Sequence, residues 1–277
     1  MKSFKLCLVP LALALAGLVH AAPVVTSSTD ANALASAIAG SGITISNAQL
    51  TTNGAGLGNA AGFFSGGAST VGFESGILLT TGTVGCAAQS NTTNDCGLNG
   101  GAPGGAGGFD TVGLKFDFTS NTGNVFFRYV FASEEYNEFV NLGVNDAFQL
   151  LLNGTNIALL PGSGQEVSID NVNCLNNSAS YRNNRANGPA GCTSLNLDIQ
   201  YDGLTTVLTA SGTGLVGTNS FEFRIFDRGD NVYDSAVFVQ AGSFSSNDPG
   251  NQIPVPSTLA LAGLGLLALN RALRRKV

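Results

Sequence analysis

Two short stretches gather carboxylates at a spacing that could do chemistry. Glu134, Glu135, Glu138 and Asp146 follow one apolar run, and Asp227, Asp230 and Asp234 follow another. Carboxylates crowded this way repel unless they spread apart or share a cation. Their hard oxygens at loop spacing suit Ca²⁺, which takes about six to eight oxygens at roughly 2.3–2.6 Å. The expected ligands come from Glu134, Glu135, Asp146, Asp230 and Asp234, with Asn or backbone oxygens added; no EF-hand or RTX-type loop is present. Two other readings use the same residues. They are solvated loop carboxylates, some paired with Arg128, Arg224 or Arg228, or two of them form the acid pair of a glycoside hydrolase, which needs carboxyls about 5–10 Å apart. Tyr136 and Tyr233 stand beside the two groups, either lining a surface for a ligand or packing at strand ends.

The elements that must hold these groups read as strands. Leu114, Phe116 and Phe118 alternate with Lys115 and Asp117, a half-buried strand, and Val125 to Phe131 is apolar on both faces apart from Arg128, a central one. Phe148–Leu152 and Ile157–Leu160 flank Asn153-Gly154, a two-residue hairpin signal. Further strands are expected at Ile43–Leu50, Ile77–Thr81, Val167–Val172, Thr205–Thr209, Phe221–Asp227 and Ala236–Ala241. One short helix opens at Thr29-Asp30, buries Leu34 and Ile38, and stops at Gly40. Asn53 to Thr70 and Gly82 to Phe109 are Gly-rich segments without a clear period. The fold expected is all-β, a single β-sandwich or jelly-roll-like domain with a short N-terminal helix. Ser243 to Gln252 reads as a polar linker, and the domain is drawn as 22–245 with 246–252 linking it to the tail.

Absences narrow the chemistry. The one His, His20, lies in the apolar N-terminal segment, and there is no Trp. A body without His cannot build a Ser-His-Asp or Cys-His machine, nor the usual His-rich zinc or iron site. All eighteen acids but only six of the twelve bases lie between residues 22 and 253, leaving this body near −12. That balance argues against nucleic acid, whose phosphates need basic patches. No enzyme activity is expected. Four cysteines fall in the same region, and an even number in an oxidising compartment reads as two disulfides. The pairing favoured is Cys86–Cys96 with Cys174–Cys192, because each pair brackets a polar loop; a four-thiolate metal site is the alternative.

Both ends read as addresses rather than structure. Lys2 and Lys5 precede an apolar run from Leu6 to Val19, a secretory signal peptide spanning 1–21 and cut after Ala21; Pro23 disfavours a cut after Ala22. Cys7 sits inside the run rather than behind it, so it does not mark a lipoprotein. At the other end, eleven small or apolar residues, Leu259 to Leu269, precede Arg271, Arg274, Arg275 and Lys276. At about 1.5 Å per helical residue, they reach only about half of a ~30 Å hydrocarbon core. The basic end marks the cytoplasmic side. A marginal anchor with a positive stop reads as a sorting signal; an ordinary tail anchor is the alternative.

The tail, with Pro254-Val255-Pro256, the short apolar helix and the Arg-rich end, resembles the PEP-CTERM sorting domain over Ile253 to Val277, although the central Glu of that motif is Val255 here. The resemblance implies processing by an exosortase and a passing residence in the inner membrane. The body quotes a second family. Phe127-Arg128-Tyr129-Val130-Phe131-Ala132-Ser133-Glu134-Glu135-Tyr136-Asn137-Glu138-Phe139 and Asp227-Arg228-Gly229-Asp230-Asn231-Val232-Tyr233-Asp234-Ser235-Ala236-Val237-Phe238 are similar to the choice-of-anchor L domain. So are Ser75–Gly82, Ile169–Asn173 and Tyr201–Leu208. That resemblance implies a secreted β-rich domain and brings no activity with it.

Together these features predict a non-enzymatic protein exported by the general secretion machinery and trimmed by signal peptidase. It would be cut near Pro254-Val255-Pro256 and placed at the cell surface or in an extracellular, biofilm-type polysaccharide matrix, with a structural or adhesive role. The alternatives are a secreted carboxylate-based glycoside hydrolase and a calcium-dependent carbohydrate-binding module.

Overall fold

The structure, a computed structural model, describes residues 21–52, 59–91, 108–185, 188–189 and 191–250. The expected signal peptide, the PEP-CTERM-like helix and Cys96 lie outside these residues. In chain order the elements are β1 (Val24–Ser27), α1 (Ala31–Ile38), β2 (Ile43–Thr52), β3 (Ala61–Ser65), β4 (Ser75–Thr80), β5 (Phe109–Ser120) and β6 (Val125–Ser133). There follow β7 (Ala147–Leu152), β8 (Thr155–Asn156), β9 (Val167–Ser168), β10 (Tyr181–Asn183), β11 (Gly203–Thr205), β12 (Leu208–Gly212), β13 (Asn219–Asp227) and β14 (Ser235–Gln240). No helix among the described residues is long and apolar enough to cross a membrane.

The strands form two sheets. The first runs β1-β3-β4-β14-β6-β11-β10, with β12 also on β6; the second runs β2-β5-β13-β7-β8, with β9 on β7. The alternation in β5 works as expected: Leu114, Phe116 and Phe118 are buried while Lys115 is exposed. Those rings meet Phe127, Phe221, Phe223 and Phe244 between the sheets, several of them edge to face at 5.0–5.6 Å. Such pairs add about 0.5–1.5 kcal/mol each beyond the area they bury. β6 is buried on both faces because its other side, through Val130 and Ala132, packs a second cluster with Phe64, Leu78, Tyr201 and Phe238. The fold is therefore all-β, as expected.

Several boundaries differ from expectation. Asp30 caps α1 by accepting from the Ala33 N–H at 3.0 Å, but the helix ends through extended backbone at Ala39. The glycine at 40 is needed instead because a side chain there would run into the Gly242 carbonyl. Asn153 and Gly154 both take positive φ, 49° and 84°, and close the hairpin. Its second arm is only β8, and the expected strands at 157–160 and 167–172 shrink to a bridge and to β9. The expected linker begins later than Ser243: Phe244 is fully buried among the core rings, Ser245 pairs with Phe126, and exposure starts at Asn247.

Candidate functional site: a buried carboxylate cluster at one end of the sandwich

Strand parity and register deliver acids from both sheets to one end of the sandwich. In the first sheet β6 ends and β14 begins with Ser133 paired to Ser235, so Glu134, Glu135 and Asp234 lie just past the strand ends. In the second sheet Phe226 pairs with Ala147 and Asp227 with Phe109, which brings Asp146, Asp227 and Asp110 to the same end. The turn Asp227–Asp230 can sit against the 143–144 loop because Gly229 has φ +113° and no side chain. A Cβ there would stand 2.5 Å from the Gly143 carbonyl oxygen and 2.9 Å from Val144 Cα. Any other residue at 229 would push the two acidic loops apart.

The resulting site is closed. Asp110, Glu134, Glu135, Asp146, Asp227 and Asp234 are each at most 1 % exposed. Asp146 is held on both oxygens: its Oδ2 accepts from the Ser235 hydroxyl at 2.7 Å and its Oδ1 from the Arg228 N–H at 3.2 Å. Its own N–H donates to Glu135 Oε2 at 3.4 Å. The Thr81 hydroxyl donates to Asp234 Oδ1 at 3.2 Å while accepting from the Ser235 N–H at 2.9 Å. Asp227 is different. Neither of its oxygens makes a well-formed hydrogen bond among the described residues, although Thr81 and Asp146 lie alongside it.

Burial dominates the electrostatics. It pushes Glu135 up to about 10, helped by the neighbouring charge of Asp146. It pushes Asp146 up to about 7 against the hydrogen bonds of Ser235 and Arg228. Asp227 is raised well above the usual carboxylate range, by burial first and then by Asp146. The expected arginine partners do not serve the cluster: Arg224 pairs with Glu222 and Arg228 with Glu166, at 2.8 and 2.9 Å. Buried carboxylates without a cation stay protonated, share protons, or recruit a cation.

The five expected calcium ligands are only partly brought together. Glu135 and Asp146 touch, and Asp234 is tied to the same hydroxyl pair. Glu134, on the opposite side of the chain from Glu135, has its Oε1 3.9 Å from Cys86 Sγ. Asp230 stays at the half-buried rim, its Oδ1 taken by the Val232 N–H at 3.1 Å. Among the described residues no group of three or more His, Cys, Asp or Glu side chains is placed to hold a metal as it stands. The donors are right in kind for calcium but do not converge. Nor can a polysaccharide reach Glu135 or Asp146 in this closed arrangement.

Other residues fall as follows. Tyr136 is fully buried against Phe131 and Tyr181, so it is core rather than the lining of a ligand surface. Tyr233 packs on Phe139 at 5.0 Å and joins the two acidic loops. Cys174 and Cys192 form the expected disulfide. Cys86 is buried. Asp110 was not among the expected site residues, and Asp227 was grouped with the acids but not among the ligands. Parity would have found both. Asp110 continues the inward series Val112, Leu114, Phe116, and Asp227 continues Phe221, Phe223, Ile225.

A family model described as choice-of-anchor L domain matches residues 23–245, and one described as PEP-CTERM protein-sorting motif matches residues 252–276. No curated protein and no solved structure matches the chain. The sorting motif implies export, membrane anchoring and processing by an exosortase, and the order of the two matches is that of an exported surface protein. With the greater part of its length under the first model, the chain belongs to the choice-of-anchor L family and carries a PEP-CTERM sorting motif behind that domain.

Proposed function

We propose that this is a non-enzymatic structural or adhesive protein of the extracellular polysaccharide layer. The observation that carries the reading is the junction: the last buried residues of the sandwich, Phe244 to Ser246, come just ahead of the sorting motif at 252–276. An intact body is thus delivered with its anchor attached, and a cut near Pro254-Val255-Pro256 frees the sandwich without opening its core. Two tests bear on this. Deleting Arg271 to Val277 should release or divert the full-length protein, and unchanged location overturns the sorting role. Intact-mass measurement of protein from the envelope and the medium should show loss of the N-terminal segment and of residues beyond the Pro254–Pro256 region. An unprocessed mass in both fractions overturns the processing step.

A second reading, a calcium-dependent carbohydrate-binding module, is favoured by Asp227, whose two buried oxygens make no well-formed hydrogen bond among the described residues. Calcium here would draw Glu135, Asp146 and Asp227 inward, with Thr81 and Ser235 hydroxyls nearby as further oxygen donors. A chelator should then lower the melting temperature and abolish glycan binding together. If neither changes, this reading fails.

A further inference from the structure

Four of the five arginines in the described body are engaged. Arg182 donates to the carbonyls of Thr205, Thr70 and Val71 at 2.9, 2.7 and 3.0 Å. Arg185 pairs with Glu138 and Asp202, Arg224 with Glu222, and Arg228 with Glu166. Arg128 is the exception. It is 4 % exposed, and among the described residues its guanidinium makes no hydrogen bond and no ion pair. Only its backbone N–H is bonded, to Ser243 Oγ at 3.1 Å.

The side chain lines an open pocket. Arg128 alternates with the inward-facing Phe127 and Tyr129 on β6, so it shares the outer face of the first sheet with Val130. Thr209 of β12 is its direct cross-strand partner. With Ser180, Thr206, Val207, Thr209 and Asp248, Arg128 lines a pocket of 390 Å³, within the range of small-molecule sites. Burial disfavours the charged guanidinium and lowers its pKa, opposed by the more distant Asp248. Asp248 is exposed on the segment leading to the sorting motif, and the ion pairs among the described residues do not include it or Arg128. A guanidinium fork facing a pocket with no carboxylate on it is short of the partner for which its geometry is suited.

We propose that this pocket binds a carboxylate carried on a sugar-sized polyol, the chemistry of a uronic-acid unit in an acidic polysaccharide. The carboxylate takes the Arg128 fork, and the hydroxyls of Ser180, Thr206 and Thr209 meet those of the sugar. A body near −12 gathers no anions by its overall field, so recognition here is local. Asp248 supplies the opposing charge and competes with the incoming carboxylate. The choice of a saccharide carrier rests on the surface role proposed above; the carboxylate chemistry rests on Arg128 alone.

The test is calorimetric titration of the full-length chain, purified in detergent, with glucuronate, glucose and acetate. Glucuronate should bind, more tightly than acetate by tenfold or more, with glucose undetected. Arg128→Gln should abolish binding. Asp248→Asn, at an exposed position that leaves the fold alone, should tighten it several-fold and so keeps the idea testable if the Arg128 variant does not fold. Three results overturn the proposal: no glucuronate binding to the native chain, equal binding of glucose, or affinity unmoved by either substitution. Acetate binding as tightly as glucuronate overturns the saccharide assignment. None of these outcomes touches the localisation tests, so the two readings fail separately.

Discussion

The Ser235 hydroxyl donates to Asp146 Oδ2 at 2.7 Å, and this bond ties the first sheet to the second at the acidic end of the sandwich. Ser235 opens β14 and Asp146 immediately precedes β7, so one hydrogen bond spans the gap that the aromatic core spans elsewhere. Replacing Ser235 with Ala should cost about 1.5–3 kcal/mol, the range for a hydrogen bond to a group that carries charge. Urea denaturation at neutral pH reads this directly. A loss below about 0.5 kcal/mol would mean that Asp146 finds another donor.

The pH dependence of metal-free protein has a definite sign. Asp146 and Glu135 have folded values raised from 3.8 to about 7 and from 4.5 to about 10. A raised value means that the folded state holds the proton more tightly than the unfolded chain. The stability this contributes is full below the unfolded values, declines as pH rises, and is gone above the folded ones. In chelator, the melting temperature should therefore fall between about pH 4 and pH 8 as Asp146 is ionised, and fall further toward pH 10. Thermal melts followed by circular dichroism check it; a melting temperature that climbs across this window refutes the protonated-cluster account.

Asp227→Asn separates protons from calcium. Asn needs no proton to stay neutral, so the substitution should raise stability above pH 7 in chelator, where folded Asp227 must hold a proton that the unfolded chain releases. If the cluster takes calcium, the same substitution should erase the gain in melting temperature that added Ca²⁺ gives the native chain. Melts of both proteins with and without Ca²⁺ decide the matter.

The Cys174–Cys192 bridge closes a separation of 18 residues. In the chain-entropy model, a loop of that size contributes about 3 kcal/mol. Replacing both cysteines with Ser should lower unfolding stability by that order. Arg182 and Tyr181 enter β10 from within the bridged segment, so loosening should be greatest there, as measured by hydrogen exchange at residues 181–183.

Much of this molecule was legible in the sequence where period and burial agree. β5, β6, β13 and β14 could be placed because alternation or a two-faced apolar run leaves few choices for a strand between two layers. β1, β3 and β10 were not legible, since they sit at or near sheet edges and are specified by partners far away in the chain: Val25 by Phe64, Arg182 by Leu204. The site followed the same rule. Glu135, Asp146 and Asp234 were visible as acids near strand ends. The inward placement of Asp227 follows from parity carried past Ile225, whereas that Glu134 would turn toward Cys86 depended on where β6 stops, which composition does not encode. Arg128 was visible as the odd charge in a core strand, but its lack of a partner is a property of the packed neighbourhood.

Phe244 carries a mechanical consequence. It sits against Phe116, Phe118, Phe127 and Phe221, while Ser245 and Phe126 exchange backbone hydrogen bonds at 3.0 and 2.8 Å. Tension applied through the tail during membrane tethering arrives first at Ser246, whose N–H donates to the Ser41 carbonyl at 2.9 Å and whose carbonyl accepts from the Thr122 hydroxyl at 3.1 Å, then at the Ser245–Phe126 pair, and then at a ring wedged under four others. The domain meets its tether as a cork meets a string knotted inside it, so tugging at the surface strains the hydrophobic heart of the sandwich rather than a slack hinge.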